Sequence, residues 1–600
     1  MRLPSFILQF QNVIVRLKRR LSISENYFFI FLAVIVGLLS GLGNLGLRKC
    51  IELCHEYIFM TGHEFLRIGA GGFHWFLLPL LPMFGGALIV LLEIMFPGQA
   101  SGYGLPNFLK TINLGSGVLK KRGVLVKMIA PAITIGTGGS AGQEGPIAAI
   151  GGTLGYIVGQ FFSFGAKRIK LLIACGVAGG IAATFNAPIA GVFFAVEIIL
   201  MGEMDLAVFS PIVISSATAV VFTRLIYGKD AFFSVPEFIL SSNWELFIYV
   251  VMGVIIGVLA VFFIRFFYWV QDFFQDLSVP FWLKPIMGGF LIGVIGLVFP
   301  QVMGDVYPYM GEVLQKSTIW YVVLPLIFMK MLATSITMGS GGAGGLFAPI
   351  LFMGTMIGET CGGLGHIFLP AVVISYDGYA IVAMGAFLSA VTHAPMTSIF
   401  LAYELTGDYQ IILPAMFATV IGTLIARSLE REGIDTYGLA REGIHLESGR
   451  EVNVLRSITV GDIMVSGPIE TIPEEMKLKT ILQFLPRSRN TTFPVVDRDR
   501  LLTGILSIQD IRELVYEQGL EELIVAKELA ATQVITVTVE DNLDNALKKI
   551  GYRNIDYLPV VAKDNPRQIV GMVSRQDIIS AYNRTLLDRD LQEKATTKSP

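Results

Sequence analysis

Cysteine and charge are both scarce in this chain. Of its 600 residues only four are cysteine, and Cys50, Cys54, Cys175 and Cys361 all sit in apolar surroundings, so no disulfide framework is implied. Cys50, Cys54 and His55 have the residue types of a metal site, but a helical stretch of small and apolar residues accounts for them, and no metal is expected. Charged residues make up 15% of the chain against 53% hydrophobic ones, and the net charge is −2. With no basic stripe in its polar part, the chain is not expected to bind nucleic acid. It carries no nucleophile–base set and no phosphate-binding loop, so it is not read as an enzyme.

What is present is apolar sequence. A mean hydropathy of +0.65 is far above that of an average soluble domain and places the chain in lipid. Charge is also unevenly spread, because 45 of the 92 Asp, Glu, Lys and Arg residues fall between Arg441 and Pro600. A membrane part therefore ends near residue 440 and a soluble part follows. Apolar stretches of spanning length recur around residues 27 to 47, 74 to 96, 170 to 200, 206 to 227, 245 to 270, 283 to 300, 319 to 337 and 410 to 427. Before the first of them stand Arg16, Lys18, Arg19 and Arg20, a positive-inside signal that predicts cytoplasmic termini. These charges follow the first apolar residues, and no cleavage site is evident, so a signal peptide is not expected.

Between the long stretches lie glycine-interrupted segments, 123 to 163 and 341 to 405, too broken for simple spans and typical of unwound backbone at an ion site. They repeat. Gly136 to Pro146 aligns with Gly339 to Pro349 at an offset of 203, and Gly151 and Gly155 align with Gly354 and Gly358. Ala187-Pro188 and Glu197 align with Ala394-Pro395 and Glu404 at 207, and Asp205 and Pro211 align with Asp408 and Pro414 at 203. The membrane part is thus two homologous halves, about 30 to 230 and 245 to 430. Inverted halves would bring both broken segments to the midplane, facing each other.

Three glycine-proline motifs mark helix starts: Gly102-Tyr103-Gly104-Leu105-Pro106, Gly142-Gln143-Glu144-Gly145-Pro146 and Gly345-Leu346-Phe347-Ala348-Pro349. Proline suits the first helical turn, where its missing N–H costs nothing, and glycine lets backbone approach a ligand. Converging starts present unpaired N–H groups and positive dipole ends, so they can hold an anion without a full positive charge. A lysine or arginine there would hold the ion too tightly for passage. Glu144 stands out, because a carboxylate at mid-membrane costs about 2.5 to 3.5 kcal/mol on insertion scales. Ionised, it can occupy the anion site as a tethered competitor; protonated, it can swing away.

The soluble part repeats on a shorter scale. Gly504 to Asp510 recurs as Gly571 to Asp577, and Pro494-Val495-Val496 recurs as Pro559-Val560-Val561. Each unit reads as helix, strand, strand, helix, with short β-branched strands such as Ile535 to Val539.

The three motifs, with Phe185-Asn186-Ala187-Pro188 and Thr406-Gly407-Asp408-Tyr409, resemble the CLC family of chloride channels and chloride/proton exchangers, and the tail resembles a pair of CBS domains. The resemblance implies an all-α polytopic membrane domain with two inverted halves, followed by tandem α/β CBS domains, and a homodimer with one anion path per chain. It divides the chain into an N-terminal segment (1–26), transport domain (27–440), linker (441–457), CBS domains (458–516 and 526–585) and disordered tail (586–600). It makes Glu144 the gate, and Tyr103, Gly104, Gly145, Leu346, Phe347 and Tyr437 the anion-binding set. In the tail, Ser507, Asp510, Ser574 and Asp577 match positions that bind an adenine nucleotide (ATP, ADP or AMP), although the same residues cap helices well.

Two positions depart from the family. Tyr103 stands where the well-known chloride members have serine, which leaves anion preference open. Ile198 follows Glu197 where exchangers commonly carry a proton-relaying glutamate, and a hydrocarbon relays nothing. Glu197 and its repeat Glu404 are read as structural, bonding backbone amides. A divalent-cation transporter would need intramembrane acidic clusters, and Glu144, Glu197 and Glu404 are too separated to form one.

Overall fold

The computed structural model describes residues 25–67, 73–114, 123–203, 206–228, 244–315, 319–373, 377–446, 458–465, 469–488, 490–511, 521–553 and 555–596, with a few isolated positions between. Arg16 to Arg20, Asp205 and most of the 441–457 linker lie outside them. The chain divides into two units, Met1–Ser448 and Gly449–Pro600.

The first unit is helical. Its first half contains α1 (Glu25–Cys54), α2 (Leu80–Met95), α3 (Leu105–Asn113), α4 (Gly123–Gly136), α5 (Glu144–Phe161), α6 (Ala166–Phe185), α7 (Pro188–Phe194) and α8 (Leu206–Tyr227). The second contains α9 (Glu245–Asp276), α10 (Leu283–Val298), α11 (Tyr307–Gln315), α12 (Trp320–Gly339), α13 (Phe347–Phe368), α14 (Asp377–Thr392), α15 (Pro395–Thr406) and α16 (Ile412–Leu429), and α17 (Ile434–Arg441) closes the unit. Two short strands, β1 (Gly102–Tyr103) and β2 (Ala343–Gly344), pair parallel between the halves. Among the described residues, eight helical stretches are long and apolar enough to cross a membrane. The run from 170 to 200, expected as one span, is divided between α6 and α7. Asn186 takes left-handed geometry with φ 57°, which asparagine tolerates. Ala187, preceding Pro188, is pushed out of the helical region.

Packing repeats between the halves. α5 lies on α6 as α13 lies on α14, and α1 lies on α8 as α9 lies on α16. Along the axis that relates the halves, equivalent groups meet in reciprocal pairs. Ser140 donates its N–H to the Thr337 hydroxyl at 3.1 Å, and Ala343 donates to the Thr134 hydroxyl at 3.0 Å. A Cβ on Gly86 would strike the Pro285 carbonyl and one on Gly289 the Pro82 carbonyl, so α2 and α10 cross at backbone distance.

Glu197 and Glu404 form another such pair. Glu197 accepts from the N–H groups of Met396 (3.0 Å) and Thr397 (2.8 Å) at the start of α15. Glu404 accepts from those of Ile189 (2.9 Å) and Ala190 (2.7 Å) at the start of α7. Each half thus caps a helix of the other, satisfying donors that have no intrahelical acceptor.

The second unit holds two three-stranded sheets, β3 (Ile472–Pro473), β4 (Thr492–Val496) and β5 (Leu502–Ser507), then β6 (Val537–Thr538), β7 (Tyr557–Val561) and β8 (Ile569–Ser574). In each the first strand pairs parallel and the last antiparallel to the middle one. The strand expected over Ile535 to Val539 shortens to Val537–Thr538, with Asp541 accepting from Thr538 to turn the chain at once.

The modules also exchange their leading segments. Val460 packs in the core of the second module with Leu543 and Leu558, and Ala526 packs in the core of the first with Phe493 and Leu506. A helix runs from Arg575 to Thr596, and residues 597–600 of the expected tail lie outside the described residues.

Removing either member of the Glu197–Glu404 clasp should loosen the halves. Glu197→Ala or Glu404→Ala leaves two helix-start amides without their acceptor, at a cost of about 1–3 kcal/mol. Each is expected to lower the thermal midpoint of the detergent-purified chain, and the double variant to lower it further.

Candidate anion pathway

The broken segments meet at one point. Before α5, Gly138 adopts φ 100°, and before α13, Gly341 adopts φ 108°, conformations that only glycine takes at little cost. These folds bring Gly142 and Gly345 face to face, each donating its N–H to the other's carbonyl at 2.7 Å. The helix starts that follow are therefore joined back to back. Antiparallel pairing of equivalent residues makes the halves inverted.

Glu144, the first residue of α5, is fully buried. One carboxylate oxygen, Oε2, accepts from the Ala348 N–H at 3.2 Å, in the first turn of α13. The other, Oε1, accepts from the Tyr307 hydroxyl. The acidic side chain of one half thus occupies a donor at the helix start of the other. Phe185 and Phe347, with ring centroids 5.6 Å apart, wall the site, and Tyr307 packs edge-on against Phe185. A Cβ on Gly142 would run into the Glu144 carboxylate and crowd the Ala348 nitrogen it bonds, so the site requires glycine there.

The expected residues fall into groups. Glu144, Gly145, Leu346 and Phe347 lie around the joined helix starts. Gly104 and Gly145 line one cavity of about 60 Å³ together with Lys127. Tyr103, in β1, pairs with Gly344 in β2. Its hydroxyl donates to Asp435, so the phenol expected to face an anion has its one proton engaged by a carboxylate. Tyr437 packs on Tyr268 with ring centroids 5.0 Å apart, and no group among the described residues bonds its hydroxyl.

Two openings flank these groups. One, of about 620 Å³, is lined by Gln143, Asn186, Arg224 and Tyr307. The other, of about 320 Å³, is lined by Tyr103, Asn107, Tyr268 and Gly438.

Sequence reasoning missed Tyr307, Ala348, Asp435 and Lys330. Lys330 stands 203 residues after Lys127 and is fully buried; its ammonium donates to the Val302 carbonyl at 2.9 Å, tying down the loop that leads to Tyr307. The repeat offset could have flagged the two lysines together. The Ser-x-x-Asp turns of the tail are capping boxes. Asp510 Oδ2 accepts from Ser507 N–H at 2.7 Å, and Asp577 Oδ2 from Ser574 N–H at 2.9 Å.

Inverted halves, joined helix starts and openings on either side define a class: membrane proteins that carry small ions through a path within the chain. The chain belongs to the voltage gated chloride channel family, whose model matches residues 84–427, and CBS domain models match 460–517 and 526–584. It is 30% identical over 415 residues to the H(+)/Cl(-) exchange transporter ClcA of Vibrio vulnificus, covering 67% of this chain and 86% of that one. It is 28% identical over 554 residues to chloride channel protein CLC-f of Arabidopsis thaliana, covering 82% and 70%. Among solved structures, a slow cyanobacterial Cl⁻/H⁺ antiporter matches with TM-score 0.64 and 26% identity, over 70% of this chain and 98% of that one. A eukaryotic CLC transporter shares the fold over 92% of this chain and 99% of its own, with TM-score 0.60 and 21% identity.

Tyr307→Phe removes a hydrogen bond to the Glu144 carboxylate while keeping the aromatic packing. A lost bond to a charged group, about 1.5 kcal/mol, corresponds to roughly a tenfold change in occupancy. Chloride efflux from liposomes is expected to rise by up to that factor.

Proposed function

We propose that the chain transports chloride, or a similar small anion, along a path gated by protonation of Glu144. The observation that carries this reading is the Ala348 N–H donating to Glu144 Oε2. A carboxylate at a helix start occupies the kind of site that would otherwise hold an anion. Protonation removes the charge that holds it there, and the donors become available to a passing ion. Gly104, Gly145, Leu346, Phe347 and Tyr437 are the proposed anion ligands, with backbone donors favourable enough to bind and weak enough to release.

The family resemblance supports a homodimer with one path per chain, and the Arg16 to Arg20 cluster supports cytoplasmic termini. Ile198 is buried and Glu197 is engaged with α15, so this pair offers no evident proton relay. Proton coupling would take another route. The tail is proposed to regulate transport, with an adenine nucleotide as the ligand its CBS domains would take; its capping boxes leave Oδ1 of Asp510 and Asp577 without a bond in the turn.

In liposomes under a chloride gradient, wild-type protein should release chloride faster as pH falls. Glu144→Ala should raise release at pH about 7.5 and flatten its pH dependence, because the tethered competitor is gone. Transport of magnesium and not halide would overturn the reading, and proton movement driven by the chloride gradient identifies an exchanger. For the tail, calorimetry should show heat with at least one of ATP, ADP and AMP, reduced by Asp510→Ala or Asp577→Ala. No heat from any nucleotide leaves Ser507, Asp510, Ser574 and Asp577 as helix caps alone.

A further inference from the structure

The second residue of the first glycine-proline motif is joined to a carboxylate near the end of the membrane unit's sequence. Tyr103 donates its hydroxyl proton to Oδ1 of Asp435, 332 residues away in the first turn of α17. Asp435 is 4% exposed, and among the described residues no cation is paired with it. The charges nearby are matched to one another. Arg441 pairs with Asp272 at 2.8 Å and Lys110 with Glu442 at 2.7 Å, and the His445 ring lies 3.0 Å from Glu432, an ion pair only when the imidazole is protonated.

What β1 and α9 present toward Asp435 is phenol. Tyr268 is near enough to interact with it, but its hydroxyl is spent on the Ile434 carbonyl at 2.8 Å. Tyr437, on α17 itself, packs against Tyr268. Of the other helices on α17, α3 brings Lys110, already paired with Glu442, and α14 meets it through the backbone of Val391 and Thr392 at Gly433. An anion and an uncompensated carboxylate repel, so anion binding here and proton binding to Asp435 favour one another.

We infer that Asp435 and Tyr103 form a proton-operated anion site. With Asp435 ionised, Oδ1 holds the only proton of the phenol. When Asp435 takes a proton by way of the 320 Å³ opening that its partner Tyr103 lines, the acid O–H donates to the phenol oxygen. Tyr103 then turns its own proton toward the path and serves as an anion ligand. One O–H bond forms on Asp435 and one bond to hydrogen breaks on the hydronium or buffer acid that gives the proton, and no other covalent bond changes. The site thereby supplies a protonation step that Ile198 does not. It rests on the reading of the chain as an anion transporter, and not on Glu144 being its gate.

The test is calorimetry of chloride binding to the purified full chain at pH about 5.5 and about 8, in buffers of different ionisation enthalpy, which reports protons taken up per anion. A Glu144→Gln background removes the contribution of the gate. In that background chloride should bind about tenfold tighter at the acid pH than at the alkaline one, with proton uptake. Adding Asp435→Asn, whose amide can donate to the phenol as the acid would, should bring both affinities to the acid value and abolish the uptake. Adding Tyr103→Phe should weaken binding at the acid pH about tenfold, the loss of one bond to a charged group, and leave the alkaline value unchanged. Uptake that survives Asp435→Asn, or a Tyr103→Phe effect equal at both pH values, overturns the proposal. Should Asp435→Asn fail to fold, the two-pH comparison with Tyr103→Phe decides. No chloride heat from wild type at either pH overturns the anion reading itself.

Discussion

The reciprocal backbone pair between Gly142 and Gly345, 2.7 Å in each direction, is the contact on which the membrane unit turns. In hydrocarbon every backbone group needs a partner, and a chain that stops one helix and starts another at mid-membrane leaves several without one. Joining two such interruptions lets each serve the other. An amide left over, that of Ala348, is taken by the Glu144 carboxylate.

Around that contact the chain is built twice, and most of the second copy reproduces the first. Thr134 and Thr337 each accept from the other half's loop, and Glu197 and Glu404 each cap the other half's helix. The departures are where the chemistry lies. Glu144 has Phe347 as its repeat partner, so one half contributes the acid and the other the amide it occupies. Two-fold symmetry supplies the scaffold, and its breaking at one residue sets a carboxylate of one half on an amide of the other.

Much of this was legible in the letters. Glycine before proline announces a helix start because both residues act on their own backbone, and the offset of 203 made the two halves visible without coordinates. The division of the 170 to 200 stretch was legible too, in Asn186, Ala187 and Pro188, but hydropathy alone conceals it because the break is nearly as apolar as the helices beside it. Tyr307, Ala348 and Asp435 were not legible. Their partners lie 163, 204 and 332 residues away, and nothing in a tyrosine or an alanine signals a distant carboxylate.

By itself the sequence determined the membrane setting, the repeated halves, the helix starts and the oddness of Glu144. These depend on local properties: apolar length, the fixed φ of proline, the freedom of glycine, the cost of charge in lipid. Only the tertiary structure decided which amide Glu144 occupies, that the proton of Tyr103 is given to Asp435, and that the tail modules trade their leading segments. Hydrogen-bond partners and shared cores are set by which remote segments meet, and that is decided by packing the whole chain at once.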